Sequence, residues 1–357
     1  MSLASLRVPS SIVLAAVLAA CSAGKNISAG DTGHNLDSHD SATDSGGDTD
    51  TDSDTDTDSD TDTDTDTDTD TDTNPTIAHV DAHLDPDVTT ITTRETIGVV
   101  VTATWTDGTT TDVTASSTIA SSDESILKFY QQNIGQPLLP GSVEVDVTDA
   151  SGTALPPFPL DVTADLAAPG DLVFNEILVD PAIGSDPNAD GTSDPVNDEF
   201  VEIANLAGAT VDLSGVTLWD ANIATARHTF AAGTYLQPGS VVVIFGGGDV
   251  STLSADNASF LVAANEDHSL HYGIALNNEG DIPKLVAADG VTELTEAPFG
   301  ADGGATIVND ASMVLDPEVT GTTYIDHTTA AGSVGAWSPG THADGTAFVG
   351  PDGTFTP

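Results

Sequence analysis

The run Leu172-Val173-Phe174-Asn175-Glu176-Ile177 and its successor Glu199-Phe200-Val201-Glu202-Ile203-Ala204-Asn205 decide how this chain folds. Both are short and rich in β-branched and aromatic residues, so each reads as a strand. Downstream come Val211–Asp220, a strand at His228-Thr229-Phe230, and Leu236-Gln237-Pro238-Gly239-Ser240 leading into Val241–Phe245. Leu276-Asn277-Asn278-Glu279-Gly280-Asp281 then precedes a strand pair around Asp289-Gly290, and Trp337-Ser338-Pro339-Gly340 closes the series.

Upstream the same grammar holds. Ile97, Val99, Val101, Ala103 and Trp105 alternate with Gly98, Val100, Thr102 and Thr104, the period of a half-buried strand. Thr106-Asp107-Gly108-Thr109 follows, and Asp-Gly between β-rich runs signals a hairpin. Val143, Val145 and Val147 mark a further strand, and no helical period competes. The expectation is an all-β chain with two immunoglobulin-like β-sandwich domains, residues 76–165 and 166–357, after a disordered acidic linker.

The second series resembles the lamin-tail domain, an immunoglobulin-like sandwich. The resemblance rests on Asn175-Glu176-Ile177, Glu199-Phe200-Val201-Glu202-Ile203, Asp212-Leu213-Ser214-Gly215, Leu236-x-Pro238-Gly239, Leu276-Asn277-Asn278, Gly280-Asp281 and Ser338-Pro339-Gly340, in that order. It implies a binding or positioning module. The first unit is similar to the group 2 bacterial immunoglobulin-like domains, through Ala103–Thr109, Asp112-Val113-Thr114, Ser121-Ser122-Asp123 and Gly141-Ser142-Val143. That likeness implies spacing or adhesion.

At the start of the chain, Arg7 precedes an apolar run, Ile12 to Ala20, that ends in Leu18-Ala19-Ala20-Cys21. Nine apolar residues cannot cross about 30 Å of hydrocarbon at 1.5 Å per residue, so residues 1–20 read as a secretory signal peptide. Leu-Ala-Ala-Cys resembles a bacterial lipobox. The resemblance implies that the mature protein begins at Cys21, with diacylglycerol on its sulfur and a third acyl chain on its amine. Each buried methylene contributes about 0.8 kcal/mol, so two or three chains make a lasting anchor. By resemblance to the sorting rule of enterobacteria, Ser22 after the cysteine implies the outer membrane, and a surface-exposed address is expected.

Residues 21–75 carry almost no apolar side chains, and Asp48–Thr73 is a Thr-Asp or Ser-Asp alternation. Neither face of such a strand is apolar enough to bury, and adjacent carboxylates repel, so a disordered tether is expected. Its 54 residues from Ser22 would span about 40 Å as a neutral coil and at most about 180 Å. Across all 357 residues, 57 acids face six Lys and Arg, a formal charge of −51. Nucleic acid is excluded as a partner, because counterion release needs clustered cations. The membrane contact is left to the lipid on Cys21. A single cysteine leaves no internal disulfide.

One loop carries candidate chemistry. In Asp186-Pro187-Asn188-Ala189-Asp190-Gly191-Thr192-Ser193-Asp194, oxygen donors stand at positions one, three and five, glycine at six and an acid at nine. This reproduces much of a Ca2+ loop, with Thr192 offering its carbonyl. Position twelve is Asn197, where a bidentate Glu is expected, so Asp198 or Glu199 must substitute. The predicted ligands are Asp186, Asn188, Asp190, Thr192, Asp194 and Asp198. The flanking helices of such a site are missing, and an acidic surface turn is the plainer alternative.

Three other patterns carry less. His79-x-Asp81-x-His83 puts three possible ligands on one strand face, but at a domain start that face reads as a wet edge. Ser125-x-x-Lys128 lacks the further elements of penicillin-binding enzymes. His268-x-x-His271 has no third ligand at useful spacing. With no recognisable nucleophile or base, no enzyme is expected. The expected function is a non-catalytic surface lipoprotein displaying a calcium-supported module for a protein or polysaccharide ligand. The alternatives are a metal-assisted hydrolase around Asp186–Glu199 and a structural envelope protein.

Overall fold

The alternation at Ile97–Trp105 becomes a strand buried at every second position through Ala103. It pairs antiparallel with Ile77–Asp85 on one side, and with Thr110–Asp112 and Ile134–Pro137 on the other. Trp105 departs from the inward series: it is half-buried, and its indole N–H donates to Thr111 Oγ1 at 3.0 Å. The Asp107-Gly108 turn closes as the sequence requires. Gly108 sits at φ +85°, and Asp107 Oδ1 accepts the Thr109 N–H at 2.9 Å. A second sheet, ordered Thr90–Thr92, Phe158–Thr163, Gly141–Thr148, Thr118–Ser121, faces the first. Val143, Val145, Val147, Leu160 and Val162 from it meet Ile97, Val99, Val101 and Leu127 in one core.

This computed structural model describes residues 74–221, 224–264 and 273–349, all within one compact unit. Among them there is no α-helix, and none of the helices is long and apolar enough to cross a membrane. The all-β expectation holds. Cys21, the linker to residue 73, His268 and His271 lie outside the described residues.

The second set is built on a six-stranded sheet, ordered Ala258–Val262, Val241–Phe245, Phe200–Asn205, Leu172–Leu178, Met313–Asp316, Thr323–Asp326. One face packs Phe174, Ile177, Val201, Ile203, Val242 and Ile244 against Leu218 and Leu285 of a four-stranded sheet. The other face is covered as well. Leu178, Phe200, Val243 and Phe245 pack beneath Val250, Leu253 and Trp337, and Ala204 and Val241 beneath Val319 and Phe348. Phe200–Asn205 and Val241–Phe245 are therefore buried at every position, which a period of two cannot express.

A β-bulge organises the covered face. The register of Leu172–Leu178 against Phe200–Asn205 slips between Phe174 and Glu176. Phe174 and Ile177 both enter the main core, so the bulge turns Asn175 and Glu176 together to the opposite face. The two sets of sheets meet through Arg94, whose guanidinium reaches Asp171 at 2.7 Å and Asp165 at 3.2 Å. Beside it the buried Thr93 hydroxyl donates to the Thr210 carbonyl at 2.6 Å.

Candidate functional site

Glu176 and Glu202 stand opposite one another across the sheet, and neither has measurable exposure. Glu176 Oε1 accepts from Ser312 Oγ at 2.6 Å and from the Ser338 N–H at 2.9 Å, and Oε2 accepts from Ser338 Oγ at 2.8 Å. Glu202 accepts from Asn175 Nδ2 at 2.8 Å and from the Gly340 N–H at 2.7 Å. Asn175 Oδ1 in turn accepts the Val319 N–H at 2.6 Å. Burial raises both carboxyls; the Glu176 charge pushes Glu202 further, whereas His327 and the hydrogen bonds restrain Glu176. Asn175, Glu176 and Glu202, with Ser338 and Gly340 of the Ser-Pro-Gly motif, thus fasten the C-terminal segment over the sheet.

His327 completes this network, with Nε2 2.9 Å from Ser338 Oγ and Nδ1 3.1 Å from the Gly335 carbonyl. Serine, histidine and a carboxylate are the members of a nucleophilic triad, but the order is wrong. A working triad places the imidazole between hydroxyl and carboxylate. Here the hydroxyl stands between the other two, and all three side chains are buried. The arrangement ties the C-terminal segment to the sheet.

A second polar centre lies at the end of the sheet where Glu199 enters Phe200–Asn205. Glu199 is 4 % exposed, and its Oε2 accepts the Leu276 N–H at 3.1 Å. Burial lifts it to about 9; the charges of Asp281 and Asp180 reinforce the rise, and that of Arg227 opposes it. Arg227, itself buried, donates to Asp220 at 2.6 Å. Asp281 accepts from the N–H groups of Ala221, Ile282 and Asn277, and burial raises it too. Sequence reasoning missed this centre. The available signal was Arg227, one of only six cations in a chain of 57 acids.

The predicted calcium loop joins Leu172–Leu178 to Phe200–Asn205 and packs against Gly246-Gly247-Gly248. Gly191 takes the left-handed turn expected of it, at φ +88°. Asp186 accepts the N–H groups of Asp190 (3.1 Å) and Gly191 (2.9 Å). Asp190 Oδ1 accepts the Thr192 N–H at 2.7 Å. Asn188 is buried, with Oδ1 accepting the Asp190 N–H and Nδ2 donating to the Gly247 carbonyl at 3.2 Å. Thr192 is exposed. Asp194 Oδ1 caps the N–H groups of Val196 and Asn197, which lower its carboxyl.

Asp198 differs from the rest. It is 1 % exposed; Oδ2 accepts the Asp194 N–H at 2.8 Å, while Oδ1 is buried with no hydrogen-bond partner. Burial raises its carboxyl; the backbone N–H groups of Asp194 and Asn188 oppose the rise, and the charges of Asp186 and Asp190 add to it. Among the described residues, no three His, Cys, Asp or Glu side chains are gathered so as to hold a metal ion.

The lesser patterns resolve plainly. His79, Asp81 and His83 are all exposed, with His79 3.0 Å from Asp81. Ser125 Oγ donates to Asp123 at 2.6 Å, and Lys128 Nζ sits 5.6 Å from the Tyr130 ring centre.

Residues 166–297 match the family model of the Lamin Tail Domain, as the motif order implies. The match ends before Met313–Asp316 and Thr323–Asp326, two of the six strands of the main sheet. No curated protein matches the sequence. Among solved structures, the S-layer protein rSbsC(31-844) has 10% identity over 70% of this chain, at a TM-score of 0.23. Domains 1–6 of surface layer protein SbsC show 11% identity over 70% of this chain, at 0.22. This chain spans 32% of the length of each. Domains 7, 8 and 9 of SbsC align over 64% of this chain and 65% of their own, with 12% identity and a TM-score of 0.20. A likeness this slight is left without consequence for function.

Proposed function

We propose that this chain is a non-catalytic display protein of a bacterial cell envelope. In this reading Cys21 carries the lipid that holds it on the outer membrane, and residues 21–75 serve as the tether. Residues 76–165 act as a group 2 immunoglobulin-like spacer, and the lamin-tail module presents its surface to a protein or polysaccharide. The observation that supports it best is the fate of the motif residues. Asn175, Glu176, Glu202, Ser338 and Gly340 all go into buried hydrogen bonds that hold the C-terminal segment down. Catalysis needs its groups within hydrogen-bond reach of a substrate, and these are sealed from one.

The test has two arms. Mass spectrometry of the mature native chain should find Cys21 at the amino terminus with its acyl chains; a free thiol refutes the anchor. Incubation with whole cells, polysaccharides and envelope extracts should give saturable binding with no chemical change in the ligand. Multiple turnover of any substrate refutes the non-catalytic reading.

A further inference from the structure

We propose that Ala258–Val262, the bare edge of the six-stranded sheet, accepts an extended basic polypeptide segment as a further strand. The proposal rests on the binding role given above and narrows its ligand to a protein. Among the described residues this strand pairs only with Val241–Phe245, in parallel and in unbroken register. The Val241 N–H donates to the Asn257 carbonyl at 2.9 Å, and the Ala263 N–H to the Phe245 carbonyl at 2.8 Å. That phase turns the backbone groups of Ser259 and Leu261 toward Val241–Phe245 and points the N–H and C=O of Phe260 outward. Among the described residues, neither outward group has a hydrogen-bond partner.

Sheet edges are normally guarded by charge, proline or a bulge. The outer strand of the four-stranded sheet follows that rule, with Glu293 and Glu296 at its ends. Ala258-Ser259-Phe260-Leu261-Val262 has none of these devices. It is also held ready. Gly340 packs against the Phe260 ring, where an added Cβ would come within 2.4 Å, and Asn257 Nδ2 donates to the Phe348 carbonyl at 2.6 Å. A preformed edge spares an incoming strand part of the ordering cost.

Beside the edge runs an open groove of about 610 Å3, lined by Val250, Leu253, Phe260 and Leu261. Side chains of an added strand alternate between faces, so every second one enters the groove and should be apolar. Charge decides the rest. Asp249 lines the groove, and the exposed Asp256 precedes the strand. The two cations within residues 166–349 are engaged elsewhere, Arg227 with Asp220 and Lys284 with Glu293. A second copy of this chain, at −51, is repelled, whereas a strand bearing Lys or Arg is drawn in.

The probe is the peptide Lys-Val-Lys-Val-Lys-Val-Lys, titrated into the full chain by calorimetry, with amide hydrogen exchange read at Phe260. Saturable binding that slows exchange at Phe260 is expected. Lys-Pro-Lys-Pro-Lys-Pro-Lys has the same charge but cannot join a ladder, and should bind at least about tenfold more weakly. Ser259→Lys, at an exposed position in the groove, changes the formal charge by only one in 51. It should nevertheless weaken binding about fivefold, and Ser259→Glu should strengthen it by a similar factor. The Thr-Asp stretch at Asp48–Thr73 attracts cations equally in all three proteins, so the differences between them isolate the edge. Equal affinity for the proline peptide, equal affinities across the three proteins, or unchanged exchange at Phe260 each overturn the proposal. Exchange at Phe260 that slows with protein concentration alone assigns the edge to a second copy and overturns the basic ligand. Failure of the peptide to bind sinks the edge alone; the display reading stands or falls on the lipid at Cys21 and on whole-cell binding.

Discussion

Replacing Glu202 by Gln should produce stability curves that cross with pH. Glu202 Oε1 and Oε2 each accept an N–H, from Asn175 and Gly340. A glutamine offers one acceptor and one NH2, so one of those buried donors ends up facing another donor. Asn175 cannot simply flip to relieve it, because its Oδ1 already holds the Val319 N–H. The resulting penalty is about 1–3 kcal/mol and does not vary with pH.

Against this stands the titration. Burial and the Glu176 charge raise the folded-state carboxyl well above its ordinary 4.5. The native state therefore binds more protons than the unfolded state from that pH upward. The stability is fully present below the unfolded value and is lost as pH rises toward the folded one, by about 1.4 kcal/mol per unit. Glutamine abolishes this loss. The variant should be the weaker protein at pH 4.5 and should overtake wild type about one to two units higher. Urea unfolding from pH 4.5 to 8.5, in chelator, reads both curves. Parallel curves would mean that Glu202 is not the titrating burden, and the reasoning would fail.

Other perturbations test other joints. Gly246→Ala would place a Cβ 1.9 Å from the Val196 carbonyl oxygen, so a loss of at least about 3 kcal/mol is expected in chemical denaturation. Gly208, with open space around it, should accept Ala within about 0.5 kcal/mol. Arg227→Ala leaves the buried Asp220 without the guanidinium that reaches it at 2.6 Å; a loss of about 3–5 kcal/mol should appear, little affected by salt. Arg94→Ala removes a partly exposed clamp to Asp165 and Asp171, and should lower Tm by only a few degrees, for about 1 kcal/mol, with the difference shrinking in high salt.

Much of the scaffold was legible because short-range rules govern it. Period-two burial at Ile97–Ala103 and Val143–Val147 and the Asp107-Gly108 turn are decided by residues within one hairpin. The strands Leu172–Leu178 and Phe200–Asn205 were recognisable by composition and motif. Their roles were not, because a bulge at Asn175 resets which side chains share a face, and alternation has no symbol for that. Nothing in the sequence showed what Glu176 does, because its partners Ser312 and Ser338 lie 136 and 162 residues away. The acidic loop was found from its spacing, yet the spacing did not single out Asp198 as the buried member of the set. Glu199, Arg227 and Asp281 were invisible as a group, since three stretches of chain far apart in sequence bring them and their partners together.

The separation between Glu176 and Ser338 also bears on how the molecule reaches its final state. Neighbouring strands can pair as soon as they coexist, but the lid over Glu176 and Glu202 comes from the far end of the chain. Closing so long a loop is entropically slow, so sealing of that face should be a late kinetic event. Until then the growing polypeptide has an open sheet with two carboxyls on it. Those charges keep the half-formed face hydrated and unattractive to other sticky chains, and they become a liability only once the last segment settles.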